Sequence, residues 1–274
     1  MTIFQAIILG IIQGLTEFLP VSSSGHLVIL PHFLNWNLPE KEAFIFDVLV
    51  QLGTLVAVIF YFRKDLFAIL SDFFKDLFKG KPFASLNARL GWLIIAATIP
   101  AGLAGLFLQD VVEKTFSSPL FAGIALLFTA LLMLLAERLS LKIGEIEDIT
   151  LWDALIIGLF QALAIFPGIS RSGSTISAGM LRSKKRPAAA RFSFLISIPI
   201  MLAAGSLSTY QLVTEVPNLG DFIPVMVIGF IIAMVVGYLA IRWLIKFLSN
   251  HSLVYFSIYC FIIGSITILS VILK

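Results

Sequence analysis

Apolar stretches long enough to cross a bilayer alternate along this chain with short polar segments rich in lysine and arginine. A helical crossing takes roughly 20 apolar residues, and six stretches qualify: about 42 to 62, 89 to 108, 119 to 137, 188 to 210, 222 to 247 and 252 to 273. Two others, 3 to 34 and 152 to 182, are apolar at both ends and polar in the middle. The first is interrupted by Glu17-Phe18-Leu19-Pro20-Val21-Ser22-Ser23-Ser24-Gly25-His26, the second by Pro167-Gly168-Ile169-Ser170-Arg171-Ser172-Gly173-Ser174-Thr175. Irregular backbone at membrane depth is tolerated only inside protein or beside a watery cavity. Each therefore reads as a re-entrant helix-loop-helix that returns to its side of origin. The expected fold is an all-α polytopic membrane protein, six spanning helices plus two re-entrant hairpins, in one domain covering 1–274.

Composition agrees with this reading, because 59% hydrophobic against 13% charged residues and a mean hydropathy of +1.03 exclude an ordinary soluble domain. The N-terminal apolar stretch lacks a basic lead and a small-residue cleavage site, so it reads as part of the fold. The single cysteine, Cys260, rules out a disulfide framework within one chain. A net charge of +3 invites a nucleic-acid partner, but the basic residues sort by membrane side instead. With six crossings, 15 of them fall at or near the loops 63 to 88, 138 to 150, 183 to 187 and 248 to 251. Only Lys41, Lys114 and Lys274 fall on the other side, and Arg171 is internal. The basic face is then cytoplasmic and both termini lie outside. Residues 64 to 80, with Phe67, Phe73, Phe74 and Phe78 against Lys75, Asp76 and Lys79, read either as an interfacial amphipathic segment or as a loop.

Shifting the sequence by 148 residues superposes the two broken segments without a gap. Ala6/Ala154, Ile8/Ile156, Gly10/Gly158, Gln13/Gln161, Leu15/Leu163, Phe18/Phe166, Ser22/Ser170, Ser24/Ser172 and Gly25/Gly173 are identical. The chain thus divides into a first repeat of about 1–137 and a second of about 150–274. Three crossings separate the copies, and an odd number inverts orientation. The hairpins are expected to enter from opposite sides with their tips meeting near the midplane.

Ionisable groups at that depth cost at least about 2.5 to 3.5 kcal/mol, and Glu17 and Arg171 both sit there. A structural ion pair would account for them. Their neighbours favour an anionic ligand: hydroxyls of Ser22, Ser23, Ser24, Ser170, Ser172, Ser174 and Thr175, and glycines Gly25 and Gly173 that admit backbone amides. Each loop also precedes a second half-helix, whose N-terminal amides and dipole attract phosphate, and Arg171 is able to grip two oxygens at once. The copies have diverged usefully: Ser23 faces Arg171 in the alignment, Glu17 faces Ile165, and His26 faces Ser174. One copy keeps a hydroxyl, a carboxylate and an imidazole; the other supplies a fixed cation. That division suits phosphoryl transfer, in which the protein mainly positions and stabilises charge. His26, one helical turn from Ser23, is the expected base, with Glu17 orienting it. Gln13, one turn before Glu17, is expected either at a metal or in a hydrogen bond across helices. Gly102, Gly105, Gly229 and Gly237 are expected at helix-packing contacts.

The runs Gln13 to His26 and Pro167 to Ile176 resemble the two signature segments of the undecaprenyl-diphosphate phosphatase family, the bacitracin-resistance proteins, and similarity extends over Phe46 to Leu55 and Phe192 to Pro199. The resemblance implies an integral-membrane hydrolase that converts undecaprenyl diphosphate to undecaprenyl phosphate. It implies support by a divalent cation, Mg or Ca, and a site opening toward the periplasm. By position, Glu17, Ser23, His26 and Arg171 match the family's essential residues, and Ser22, Ser170 and Thr175 its phosphate-contacting ones. Gln13 stands where other members can carry Glu, which weakens an acidic pair at 13 and 17 as the metal chelate and puts the expected ligand at Glu17. The nucleophile is Ser23, His26 or a water. Expected partners are a polyprenyl diphosphate and membrane lipids, with no nucleic acid; a homodimer is compatible with the sequence. A lipid-phosphate flippase or secondary transporter would use the same anion clamp without turnover, and a pure scaffold would leave Glu17 and Arg171 unexplained.

Overall fold

The computed structural model describes residues 1–36, 40–108, 115, 118–215 and 223–273. Eleven α-helices follow in order among them: α1 (Ile3–Phe18), α2 (Ser23–Leu34), α3 (Glu40–Tyr61), α4 (Arg63–Phe78), α5 (Leu86–Phe107) and α6 (Pro119–Leu139), then, after a 3-10 turn at Ile146–Asp148, α7 (Leu151–Leu163), α8 (Arg171–Leu181), α9 (Arg186–Glu215), α10 (Ile223–Asn250) and α11 (Val254–Ile272). An all-helical chain is what lipid requires, since backbone groups without water must pair within their own segment. Five of these helices, α5, α6, α9, α10 and α11, are long and apolar enough to cross a membrane alone. Phe46–Tyr61 of α3 and Arg63–Phe78 of α4 meet at a 73° bend and make a sixth only if the bent pair is counted as one span. The segment read as either amphipathic or loop is thus the helix α4. Lys41, Lys114 and Lys274, assigned to the opposite side from the sequence, lie outside the described side chains.

The two broken segments fold as helix pairs, α1 with α2 and α7 with α8. Both open with a capping box, Thr2 with Gln5 and Thr150 with Asp153, again 148 residues apart. Each box satisfies two amides that a helix start leaves without partners. α1 stops at Phe18 because Leu19 precedes Pro20, whose ring disfavours helical backbone in the residue before it; Leu19 is extended, with ψ 142°. In the second pair the chain turns at Gly168, with φ +91°. A Cβ there would lie 2.7 Å from the Ala122 carbonyl oxygen, so only glycine fits.

Lipid tails are as apolar as leucine, so close packing rather than water exclusion must hold these helices together. Small residues provide it. α1 lies along α10, where a Cβ on Gly10 would come within 2.9 Å of the Gly229 carbonyl oxygen. α7 lies along α5, with Gly158 pressed still closer to the Ala97 backbone, and α6 lies along α11, with Gly264 against Gly123. Gly229 and Gly237 pack as expected, whereas Gly102 and Gly105 do not: among the described residues nothing stands within 4 Å of their added Cβ atoms, because they occur on an outer face of α5. That helix presents exposed Ile95, Ile99, Leu103 and Leu106, and α11 presents Ile258, Ile262, Ile266 and Leu269. Hydroxyls turn inward, with Thr54, Thr129, Ser174, Thr175 and Ser177 fully buried.

The loops predicted to share the basic face do gather at one end of the bundle. Glu137 accepts from Lys142 at 2.5 Å, from Arg186 and from the Leu253 amide at 3.1 Å. Asp153 pairs with Arg182 at 2.6 Å and Lys184 at 3.0 Å. Arg89 donates to the Glu147 carbonyl at 2.9 Å, and Arg191 pairs with Asp65 at 3.4 Å. These bonds fix the feet of the α7–α8 pair and, through them, its tip.

Candidate active site

Glu17, in the last turn of α1, is buried and accepts hydrogen bonds from three directions. Gln13, one turn earlier on the same helix face, donates from Nε2 to Oε2 at 2.9 Å. Ser23, the first residue of α2, donates from Oγ to the same oxygen at 2.6 Å. Arg171, the first residue of α8, forms an ion pair with Oε1 and also donates to the Ser197 carbonyl at 3.4 Å. Three residues singled out from the sequence thus converge on a fourth, the Glu17 carboxylate. The pair is sheltered from water, so removing either charge strands the other at a cost of about 3–5 kcal/mol. Ser23 and Arg171 remain partly exposed while Gln13 and Glu17 are buried, so the constellation opens at its hydroxyl and guanidinium edge.

The serines and glycines around it build the two helix starts and lock them together. Ser22 caps α2 by accepting from the Gly25 amide at 3.3 Å, and Ser170 caps α8 by accepting from the Gly173 amide at 3.0 Å. Ser22 lies 3.4 Å from Ser24 and Ser170 lies 3.2 Å from Ser172, hydroxyl to hydroxyl, so the 148-residue register extends to individual bonds. Ser22 reaches this geometry at φ 69°, a left-handed conformation costing a residue with a Cβ of order 1–3 kcal/mol. Between the tips, Ser172 donates to the Leu19 carbonyl at 3.0 Å and the Gly168 amide donates to Ser24 at 3.4 Å. A Cβ on Gly25 would sit 3.1 Å from the Gly168 Cα. Thr175 donates to the Arg171 carbonyl at 2.8 Å and shares a hydrogen with Ser193, steadying the turn that carries the cation. Two helix N-termini, with dipoles and first-turn amides that favour anions, therefore begin beside Ser23 and Arg171.

His26 departs from the sequence expectation. Its Nδ1 lies 2.8 Å from the Ser22 carbonyl oxygen and its Nε2 lies 2.8 Å from the Tyr259 hydroxyl. Both ring nitrogens are engaged away from Ser23, and Glu17 bonds to Ser23 rather than to His26. The physical reason is the helix itself: three residues along α2, the imidazole reaches back to the carbonyl one turn earlier, while the Ser23 hydroxyl at the first position faces α1. Glu17 is the group placed to take the Ser23 proton.

Glu17 is also the one metal ligand expected from the sequence, and its surroundings do not form a cation cage. One oxygen faces a guanidinium and the other accepts from an amide and a hydroxyl. Among the described residues no three carboxylate, imidazole or thiol groups come together as a metal would need.

Several participants escaped sequence reasoning. Tyr259 sits in an apolar span where nothing marks it, and Thr129, which accepts from the Ser170 amide at 3.1 Å, is one hydroxyl in another such span. Ser193 and Ser197 act from α9, on the helix that follows the loop they support.

Residues 6–266 match the family described as bacitracin resistance protein BacA. The undecaprenyl-diphosphatase of Alkaliphilus metalliredigens is 46% identical to this chain over 275 residues, covering 98% of each protein. That of Thermomicrobium roseum is 42% identical, covering 99% of each, and that of Chlorobaculum parvum is 43% identical, covering 96% of this chain and 95% of the relative. The residues that converge on Glu17 all lie inside the matched range, and the chain belongs to the BacA family of bacitracin resistance proteins.

Proposed function

We propose that this multi-pass membrane protein is an undecaprenyl-diphosphate phosphatase, a hydrolase that releases inorganic phosphate from undecaprenyl diphosphate and returns undecaprenyl phosphate for cell-wall synthesis. The relatives' shared name and the matched family support the activity. One observation carries the chemistry: a serine hydroxyl at a helix N-terminus donates directly to a buried carboxylate that an arginine also holds.

In this reading the terminal phosphate enters at the partly exposed edge formed by Ser23 and Arg171. Arg171 turns from Glu17 to the phosphate oxygens, and the amides that begin α2 and α8 complete the anion site, with Ser22, Ser24, Gly25, Ser170, Ser172, Gly173 and Thr175 shaping it. Glu17, relieved of the cation, takes the Ser23 proton as the oxygen attacks phosphorus, and Gln13 keeps the carboxylate oriented. The bond from phosphorus to the bridging oxygen breaks, Glu17 passes its proton to the departing phosphate oxygen, and undecaprenyl phosphate leaves. Water then attacks the phosphoserine, giving its proton to Glu17, and the Ser23 oxygen departs and recovers a proton from Glu17. Electrostatic positioning of this kind dominates phosphoryl transfer. Magnesium or calcium is proposed to arrive as a counter-ion of the diphosphate.

The membrane arrangement belongs to the same proposal: six crossings, two re-entrant hairpins and inverted halves, in the bacterial inner membrane with the basic end in the cytoplasm. Matching capping boxes and tip bonds 148 residues apart support the repeat, as does the packing of α1 on α10 against α7 on α5. The clustering of basic loops at one end supports the sidedness.

The test is phosphate release by purified protein in detergent, given a polyprenyl diphosphate with magnesium or calcium present. Turnover by the wild type that disappears in Ser23→Ala and Arg171→Ala, with both variants eluting as folded protein, is the expected result. A wild type that releases nothing ends the phosphatase reading.

A further inference from the structure

His26 is tied to α11 by two contacts that the proposed reaction does not use. Its ring lies nearly parallel to that of Tyr259, with centroids 5.7 Å apart and planes 9° apart, and the two meet edge to edge through the 2.8 Å bond between Nε2 and the Tyr259 hydroxyl. The next residue, Cys260, reaches the Pro20 carbonyl in the same hairpin, with sulfur 3.6 Å from oxygen. One turn of the last helix therefore grips the loop that bears Ser23 from behind.

The hydrogen bonds also determine which nitrogen carries the proton. A carbonyl oxygen only accepts, so the 2.8 Å contact with Ser22 requires Nδ1–H as donor. In the neutral ring Nε2 then holds the lone pair, and the Tyr259 hydroxyl donates into it. When the ring is protonated, Nε2–H donates and the same hydroxyl turns to accept. A hydroxyl serves both charge states without any movement of the ring. An amide oxygen or an ammonium group would serve only one.

We propose that Tyr259 is a positioning residue: its hydroxyl fixes the Nδ1–H tautomer of His26, whose bond to the Ser22 carbonyl holds the turn that carries Ser23, so that turnover depends on an α11 residue outside both signature loops. The inference rests on the phosphatase reading with Ser23 as the attacking oxygen, and it has a readout independent of activity. The chain has three histidines, so protein carrying 15N,13C-histidine gives few ring signals, and His26→Gln identifies one set by its disappearance.

Wild type under alkaline conditions is expected to show the Nδ1–H tautomer at His26 with a hydrogen-bonded Nε2. Tyr259→Phe, which keeps the ring and deletes only the hydroxyl, is expected to move the Nε2 resonance toward that of an unbonded nitrogen. It is also expected to lower kcat at least about tenfold with KM little changed, since a residue that orders the reacting groups acts after binding. Tyr259→Leu, losing the ring as well, is expected to be slower again. An Nε2–H tautomer in wild type, or Tyr259→Phe with unchanged kcat and unchanged Nε2 signal, overturns the proposal. Absence of turnover in the wild type would overturn the phosphatase reading instead and leave the spectroscopic result to decide on Tyr259.

Discussion

The direct bond between Ser23 and Glu17 makes a quantitative demand on mutant kinetics. At 2.6 Å it is a charge-assisted hydrogen bond, roughly twice as strong as a neutral one, and it joins the attacking oxygen to its proton acceptor. Glu17→Gln is nearly isosteric and leaves the α1 backbone and its packing on α10 untouched, but the amide is too weak a base to take the proton. Ser23→Ala removes the oxygen itself. If the two residues act in one step, each change alone is expected to lower kcat/KM by about a thousandfold, within the usual range for proton-transfer catalysis. The pair together is then expected to lose little more than either alone, because a nucleophile without its base and a base without its nucleophile are equally idle. Independent residues would instead multiply to about a millionfold. The difference of about a thousandfold is a coupling of about 4 kcal/mol, well above kinetic error. The assay is initial-rate phosphate release over a range of polyprenyl diphosphate concentrations, with all four proteins purified in the same detergent. Multiplicative losses would refute the shared proton transfer and return Glu17 to a role in holding Arg171.

Three further outcomes follow from the geometry. Arg171→Lys keeps a positive charge but not the fork that spans Glu17 and the Ser197 carbonyl, so phosphate release is expected to fall about a hundredfold with the thermal midpoint little altered. Alanine at Gly158 or Gly10 drives a methyl into the backbone of α5 or α10, and each is expected to cost about 1–3 kcal/mol in detergent unfolding, Gly158 the more; Gly102→Ala, on an open face, is expected to be neutral or to stabilise by up to about 1 kcal/mol. Asp153→Asn removes the carboxylate that holds Arg182 and Lys184 and weakens the α7 cap, for an expected loss of about 1–3 kcal/mol by thermal unfolding, discounted because Arg182 is partly solvated.

Features that obey local rules were legible in the sequence. The spans follow from unbroken apolar length, the two broken segments from Pro20 and Gly168, and the helix starts from Ser22 and Ser170, whose caps form as serine before a helix suggests. The convergence of Gln13, Glu17, Ser23 and Arg171 was also foreseeable, because charges at membrane depth must find one another. What the sequence did not carry was direction around a helix axis. His26 lies one turn from Ser23 in number, yet at φ 69° Ser22 sets the start of α2 so that the hydroxyl meets α1 and the imidazole meets α11. Tyr259 and Thr129 were invisible for a related reason. A lone polar side chain in an apolar span acquires meaning only from what packs against it. Gly102 and Gly105 misled in the opposite sense, since small residues four or fewer apart suggest packing whichever way they face.

The meeting of Gly25 with Gly168 has a consequence for motion. Main chain there abuts main chain with no side chain between, flanked by the bonds from Ser172 to Leu19 and from Gly168 to Ser24. A carrier that exposed its cargo to alternate sides would have to unzip that seam on every cycle and leave two buried polar groups without partners in a solvent that offers none. The weld favours a stationary reaction vessel, whose mouth opens by swinging an arginine and a serine while the floor stays shut.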